Sequence, residues 1–281
     1  MWNPQKEKIA YTREYMCQCW DCKDREDYEE GDLLELRPGS CAKSNRLDLH
    51  TIQVCKIDMA SSALVTLIIG PHGAKIVAPR AVLAFYSRFF DAAFYGNFKE
   101  SKVDFLELPE DDDESINTFV AWAKTGQIYS TLELEELWAL GTRLQSDLFT
   151  NEVMYYMFGR AVAKPLSANN AQLAYSLSLP GSKLRAYIRR LIVTEGPLKK
   201  GWLGTRNDKV RAWCEEWGRL IREGGDLVYD IVVEEEASFY QLADDISDRP
   251  YYYENQDDYL QDDSQVSVEG FIEAKCKEGK F

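Results

Sequence analysis

Leu64-Val65-Thr66-Leu67-Ile68-Ile69-Gly70-Pro71-His72-Gly73 decides how the middle of this chain is read. The apolar run is rich in β-branched side chains and closes on Gly70-Pro71, so it predicts a buried strand with a turn after it. Lys75-Ile76-Val77-Ala78 then supplies the return strand of a hairpin. Pro79 stops that strand and can open a helix, because the missing N–H of a proline has no partner in the first turn anyway. From Val82 onward Phe85, Tyr86, Phe89, Phe90 and Ala93 recur at helical spacing. The run is apolar almost all round, which predicts burial on more than one side. After Gly96-Asn97-Phe98-Lys99-Glu100-Ser101 comes a third strand-like segment, Val103 to Leu108, ended by Pro109 and the acidic residues from Glu110 to Glu114. Those acids suit the positive end of a helix carrying Ile116, Phe119, Val120 and Ala123, with Gly126 as its C′ residue. Leu134, Leu137, Trp138, Gly141 and Leu144 mark a further helix, and Phe149, Val153, Tyr156 and Met157 another.

Working outward, 281 residues with 45% hydrophobic side chains are enough for one or two domains with a real core. No apolar run is long enough to span a bilayer, and Met1 to Lys8 lacks the apolar core of a secretion signal. The seven cysteines, an odd count, are those of a chain kept reduced, which points to the cytoplasm or nucleus.

Charge divides the chain into four parts: −3 over residues 1–62, −6 over 63–163, +7 over 164–225 and −12 over 226–281, for the total of −14. Residues 1–62 read as a partly irregular N-terminal extension, 63–163 as the central domain, 164–225 as a basic helical extension and 226–281 as an acidic tail. Few aliphatic residues follow Ile246, so the distal tail, from about Asp248, is expected to be disordered. The tail is also a candidate intramolecular partner for the basic block, a pairing that salt would screen over a Debye length of about 8 Å. Within that block Ser182 reads as an N-cap, and Leu184, Tyr187, Ile188, Leu191 and Ile192 share one helix face. Lys183, Arg185, Arg189 and Arg190 fall largely off it. An amphipathic helix docked by its apolar face, with solvated arginines, is preferred over a basic helix in a DNA groove, and net acidity argues the same way. Trp202, Trp213 and Trp217, with Leu220 and Ile221, suggest one more packed helix over 208–223.

Residues for catalysis are scarce. His50 and His72 are the chain's two histidines, His72 in the expected hairpin turn, and no phosphate-cradling glycine loop is present. An enzyme is not expected, nor a cofactor. Cys17-x-Cys19-x-x-Cys22, with Cys41 or His50 as a fourth ligand, lacks the paired halves of a common zinc site, so reduced thiols are the expectation there and no metal site is assigned.

Strand, hairpin, helix pair, strand and helix in this order resemble the BTB/POZ domain, particularly its fungal branch. Ala78, Val82, Leu83, Ala84, Ser87 and Phe90 fall on the family's A-x-x-x-V-L-A-x-x-S-x-x-F signature, and Thr125-Gly126 on its T-G. The resemblance implies an α+β fold, a small β-sheet with a cluster of α-helices followed by additional helices, and an activity of protein association. Pro79 stands where many relatives have histidine, and Ala63-Leu64 where they have an aspartate before the first strand. Those departures speak against the charged pocket of metazoan members and its co-repressor groove. Members that bind a cullin ubiquitin-ligase scaffold often carry a hydrophobic-x-Glu triplet after the second helix, and Phe98-Lys99-Glu100 stands there, followed by Ser101. The resemblance therefore implies partner binding by Phe98, Lys99, Glu100 and Ser101 and a substrate-adaptor role. The other reading is a self-associating scaffold or regulatory protein, as a homo-dimer, with no ligase role.

Overall fold

The computed structural model describes residues 42–195, 208–238, 253–262 and 267–281. Cys17, Cys19, Cys22 and Cys41 lie outside them, as do Trp202 and the side chain of Trp213. In chain order the elements are α1 (Ala42–Ala60), β1 (Leu64–Ile69), β2 (Ala74–Pro79), α2 (Arg80–Tyr86), α3 (Arg88–Tyr95), a 3-10 turn at Lys99–Lys102 and β3 (Phe105–Leu108). There follow α4 (Asp113–Thr125), α5 (Leu134–Arg143), α6 (Asp147–Ala163), α7 (Ala168–Leu177), α8 (Lys183–Glu195), α9 (Asp208–Glu223), α10 (Asp226–Ser238), a 3-10 turn at Tyr253–Tyr259 and α11 (Val268–Lys277). These elements fall into two compact units. The first takes the described residues of Met1–Leu132, Leu140–Thr150 and Asp262–Phe281, and the second takes those of Glu133–Ala139 and Asn151–Gln261.

The first unit is built on a sheet of order β2-β1-β3. β1 pairs antiparallel with β2, from Leu64 opposite Pro79 to Ile69 opposite Ala74, and parallel with β3, from Thr66 opposite Phe105 to Ile69 opposite Leu108. Alternation turns Val65, Leu67 and Ile69 inward with Leu106 and Leu108. The apolar run after Pro79 breaks into two helices at Ser87, whose backbone is extended (φ −144°). Its hydroxyl accepts from the Phe90 N–H (3.1 Å), capping α3, and donates to the Leu144 carbonyl (2.6 Å). Phe90 and Phe94 stack at 5.5 Å, and Phe119 and Trp122 of α4 meet Phe149 edge-on at 5.3 and 4.9 Å. Asp112 caps α4 by accepting from the Ser115 N–H (2.7 Å), and Gly126 ends it in the left-handed region (φ 69°), as its sequence position predicts. Every residue of the A-x-x-x-V-L-A-x-x-S-x-x-F pattern is buried.

Two segments outside the central domain complete this unit. The N-terminal extension contains α1, a regular helix of 19 residues. It docks through His50, whose ring stacks on Tyr86 at 4.7 Å, meets Trp122 at 5.5 Å and places Nε2 3.0 Å from the Ala123 carbonyl. That seat makes His50 part of the core and takes it out of the set of zinc ligands. The acidic tail is corrected in its distal part: residues 268–277 form α11, capped by Ser267, and Val268 and Lys275 are buried. Composition, averaged over the tail, hides the apolar and aromatic groups that α11 gathers on one side.

In the second unit, Leu184, Tyr187, Ile188, Leu191 and Ile192 of α8 are all buried, as their spacing predicts. Tyr187 donates to the Met157 carbonyl (3.1 Å) and its ring meets Phe158 and Tyr259. Arg185 departs from the expected solvated arginine. It is buried, with its guanidinium 4.6 Å from the Tyr175 ring centre, and donates to the Tyr175 carbonyl (2.8 Å) and to Asp226 (3.2 Å). The basic helix thus meets acidic-tail residues directly, Lys183 also donating to the Asp258 carbonyl (2.6 Å). Gln261 is held by Asn151, which donates to its carbonyl (3.1 Å) and accepts from its N–H (2.6 Å). Glu135 is fully buried against the guanidinium of Arg160, and Asn170 donates to it (3.2 Å).

Burial pulls the His50 imidazole below its ordinary value, against the raising influence of the Ala123 and Trp122 backbone. The unfolded chain therefore binds the proton more readily than the fold. The stability that neutral His50 contributes is present above the unfolded value of about 6.5 and declines as pH falls through it. Thermal unfolding of the wild type should lose more stability between pH 7.5 and 5.5 (about two units around that value) than His50→Phe, which keeps a ring in the seat but does not titrate. Parallel losses in both chains would contradict this.

Candidate functional site

The loop between α3 and β3 carries the four residues expected to bind a partner. It begins at Gly96, whose N–H donates to the Ala92 carbonyl (2.9 Å). A Cβ on Gly96 would lie 2.3 Å from that oxygen, so only glycine lets the backbone close there. Phe98 follows with 59% of its surface exposed. The N–H and hydroxyl of Ser101 both donate to the Phe98 carbonyl (3.2 and 2.7 Å), which fixes the backbone under the ring. Lys99 and Lys102 are exposed on the 3-10 turn. Glu100 takes the turn's second position, and its side chain lies outside the described ones.

One side chain holds both ends of this loop. Arg80, at the start of α2, donates to the Phe94 carbonyl before the loop (2.6 Å) and to the Ser101 carbonyl after it (3.0 Å). Its guanidinium lies 5.3 and 5.4 Å from the ring centres of Phe94 and Tyr95, with Asp104 at 3.7 Å. The side chain is only 11% exposed, so these carbonyls and rings replace the water it gives up. Burial, the largest cause, and then Asp91 push the Tyr95 phenol up to about 12, against the lowering influence of Arg80. Tyr95 therefore stays neutral beside the guanidinium.

Sequence reasoning named Phe98 to Ser101 as a partner site and passed over Arg80, a lone cation opening an otherwise apolar helix, which ties the ends of their loop. It also missed two uncovered apolar surfaces. On α1, Leu49, Ile52 and Met59 are exposed along one side, Met59 by 88%, with Cys55 between them. On the sheet, Val77 and Phe105 flank Thr66 on the outer face, and Leu64 is exposed beside them.

The first unit thus exposes an aromatic ring on a pinned loop and apolar patches on a helix and on the sheet, surface of a kind that suits contact with other polypeptides. Residues 61–158 match the BTB/POZ domain. This is a protein-interaction module, and its α+β fold is the one described above. No curated protein matches the chain. Among the described residues no helix is long and apolar enough to cross a membrane, and no group of three or more His, Cys, Asp or Glu side chains could hold a metal ion.

Arg80→Ala removes two charge-assisted bonds and should cost about 3 kcal/mol in denaturant unfolding. Amide exchange should rise across residues 96–102, and Arg80→Lys should recover only part, because an ammonium lacks the planar fork. Full recovery by lysine would show that charge alone matters.

Proposed function

We propose that this protein works as a substrate adaptor, holding a cullin-type ubiquitin-ligase scaffold on its BTB/POZ domain through Phe98, Lys99, Glu100 and Ser101. The observation that carries the reading is the exposed Phe98 ring on a loop tied at both ends by Arg80. An aromatic anchor already fixed in place loses little freedom on binding, and such anchors supply most of an interface's affinity. Glu100 would add a carboxylate for a partner helix N-terminus or a basic side chain. The target would be taken by a segment outside residues 61–158, and the setting would be the cytoplasm or nucleus.

Phe98→Ala should leave stability within about 0.5 kcal/mol of the wild type, because the ring is exposed. Loss of an anchor worth about 2 kcal/mol lowers affinity about thirtyfold. Pull-down with a cullin should show that loss for Phe98→Ala and a smaller one for Glu100→Ala. Binding unchanged in both variants, or absent from the wild type, removes the adaptor reading.

The apolar side of α1 supports a second reading, self-association as a homo-dimer with no ligase role. Leu49, Ile52 and Met59 would lie against the same residues of a second copy, as a two-fold interface requires. Light scattering on a sizing column should then give a dimer for the wild type and a monomer for Ile52→Glu. A wild-type monomer at tens of micromolar overturns this reading.

A further inference from the structure

The face of the first unit made by α1, α2 and α3 is occupied by the chain's own C-terminal segment. Val268, Phe271 and Lys275 of α11 follow one another at spacings of three and four, which puts them on one side of the helix. The Phe271 ring meets Phe85 of α2 edge-on at 5.4 Å. The Lys275 ammonium is 2.7 Å from the Asp91 carboxylate of α3 and 5.1 Å from the Tyr95 ring centre, and its side chain is only 10% exposed. Lys56 of α1 reaches Glu269 at 2.6 Å. After α11 the Lys280 N–H donates back to the Lys275 carbonyl (2.9 Å), and Phe281 lies against both Tyr95 (5.7 Å) and Phe271 (5.8 Å). The opposite side of the helix carries Glu273 and Lys277, paired with each other in solvent at 2.6 Å.

This is the pattern of a helix laid in a groove: an aliphatic, an aromatic and a cationic anchor on the buried side, ion pairs on the other. A helix of ten residues is too short to persist alone in water, so its order comes from the surface under it. A lysine this deeply buried is tolerable only with its carboxylate in place, which makes Asp91 the recognition group of the groove. Being tethered, the segment competes at a high effective concentration against any helix arriving from outside.

We propose that the α1–α2–α3 face is a docking site for an amphipathic helix, that residues 267–281 are its occupant in cis, and that their release opens the face to other chains. The occupied face adjoins the interaction loop through Tyr95, which touches both Phe281 and the Arg80 guanidinium. The proposal does not depend on which partner Phe98 takes.

Hydrogen exchange on the full chain tests it. Phe271→Ala, Lys275→Glu and Asp91→Lys should each raise exchange about tenfold over residues 268–278 and over α2 and α3, with β1 and α4 unchanged. The double reversal Asp91→Lys with Lys275→Glu should restore protection. A labelled peptide of residues 267–281 should bind the full-length Phe271→Ala chain and not the wild type, whose groove is filled. The proposal is overturned if residues 268–278 exchange freely in the wild type, or stay protected in all three single variants. It is equally overturned if the double reversal fails to restore protection, or if the peptide does not bind Phe271→Ala.

Discussion

The stretch from Ala81 to Tyr86 is buried on every side, and with the inward-facing Phe90, Phe94 and Tyr95 it imposes a demand for cover on the rest of the first unit. Phe90 and Phe94 are taken by Phe119 and its neighbours, and the Ser87 hydroxyl ties the break between α2 and α3 to the Leu144 carbonyl. Tyr86 is covered by His50, and Phe85 by Phe271. Two of these covers lie outside the residues matching the BTB/POZ domain, one before it and one far after. Burial of that much aromatic surface favours recruiting distant pieces of chain, because the gain scales with area while closing a longer loop adds little entropy.

The same economy of cover explains where charge sits. Arg80, Arg185 and Lys275 each lie over aromatic rings and each is nearly withdrawn from water. Each has a carboxylate or carbonyl partner, so the ring supplies the apolar contact and the oxygen supplies the compensation. These cations are part of the packing. Their net contribution is modest, but removing a partner would leave a buried charge uncompensated.

Local rules made much of this legible in advance. The strands β1 and β2 follow from a β-branched run and its breakers, α4 from its acidic first turn and Gly126, and the buried side of α8 from spacing alone. Residues Phe98 to Ser101 were named as a partner site through the resemblance alone, since an aromatic in a loop reads equally well as surface or as packing. Helix α1 escaped because it is apolar on opposite sides: His50 and Ile57 face the core while Leu49, Ile52 and Met59 face out, which cancels the periodic signal. The docked α11 escaped because order there is set by a groove assembled from residues about two hundred positions upstream, which no window along the chain can see. Arg80 and Arg185 escaped because a charge on a helix is read as solvated until its partners are known.

The distance in sequence between Phe85 and Phe271 has a consequence for how the chain is made. A ribosome delivers α2 long before it delivers α11, at a pace of about 5–20 residues per second. For that interval the nascent domain shows a phenylalanine, a tyrosine and a lone aspartate to whatever is nearby. Chaperones recognise such surfaces, so the face stands open to them until synthesis is finished.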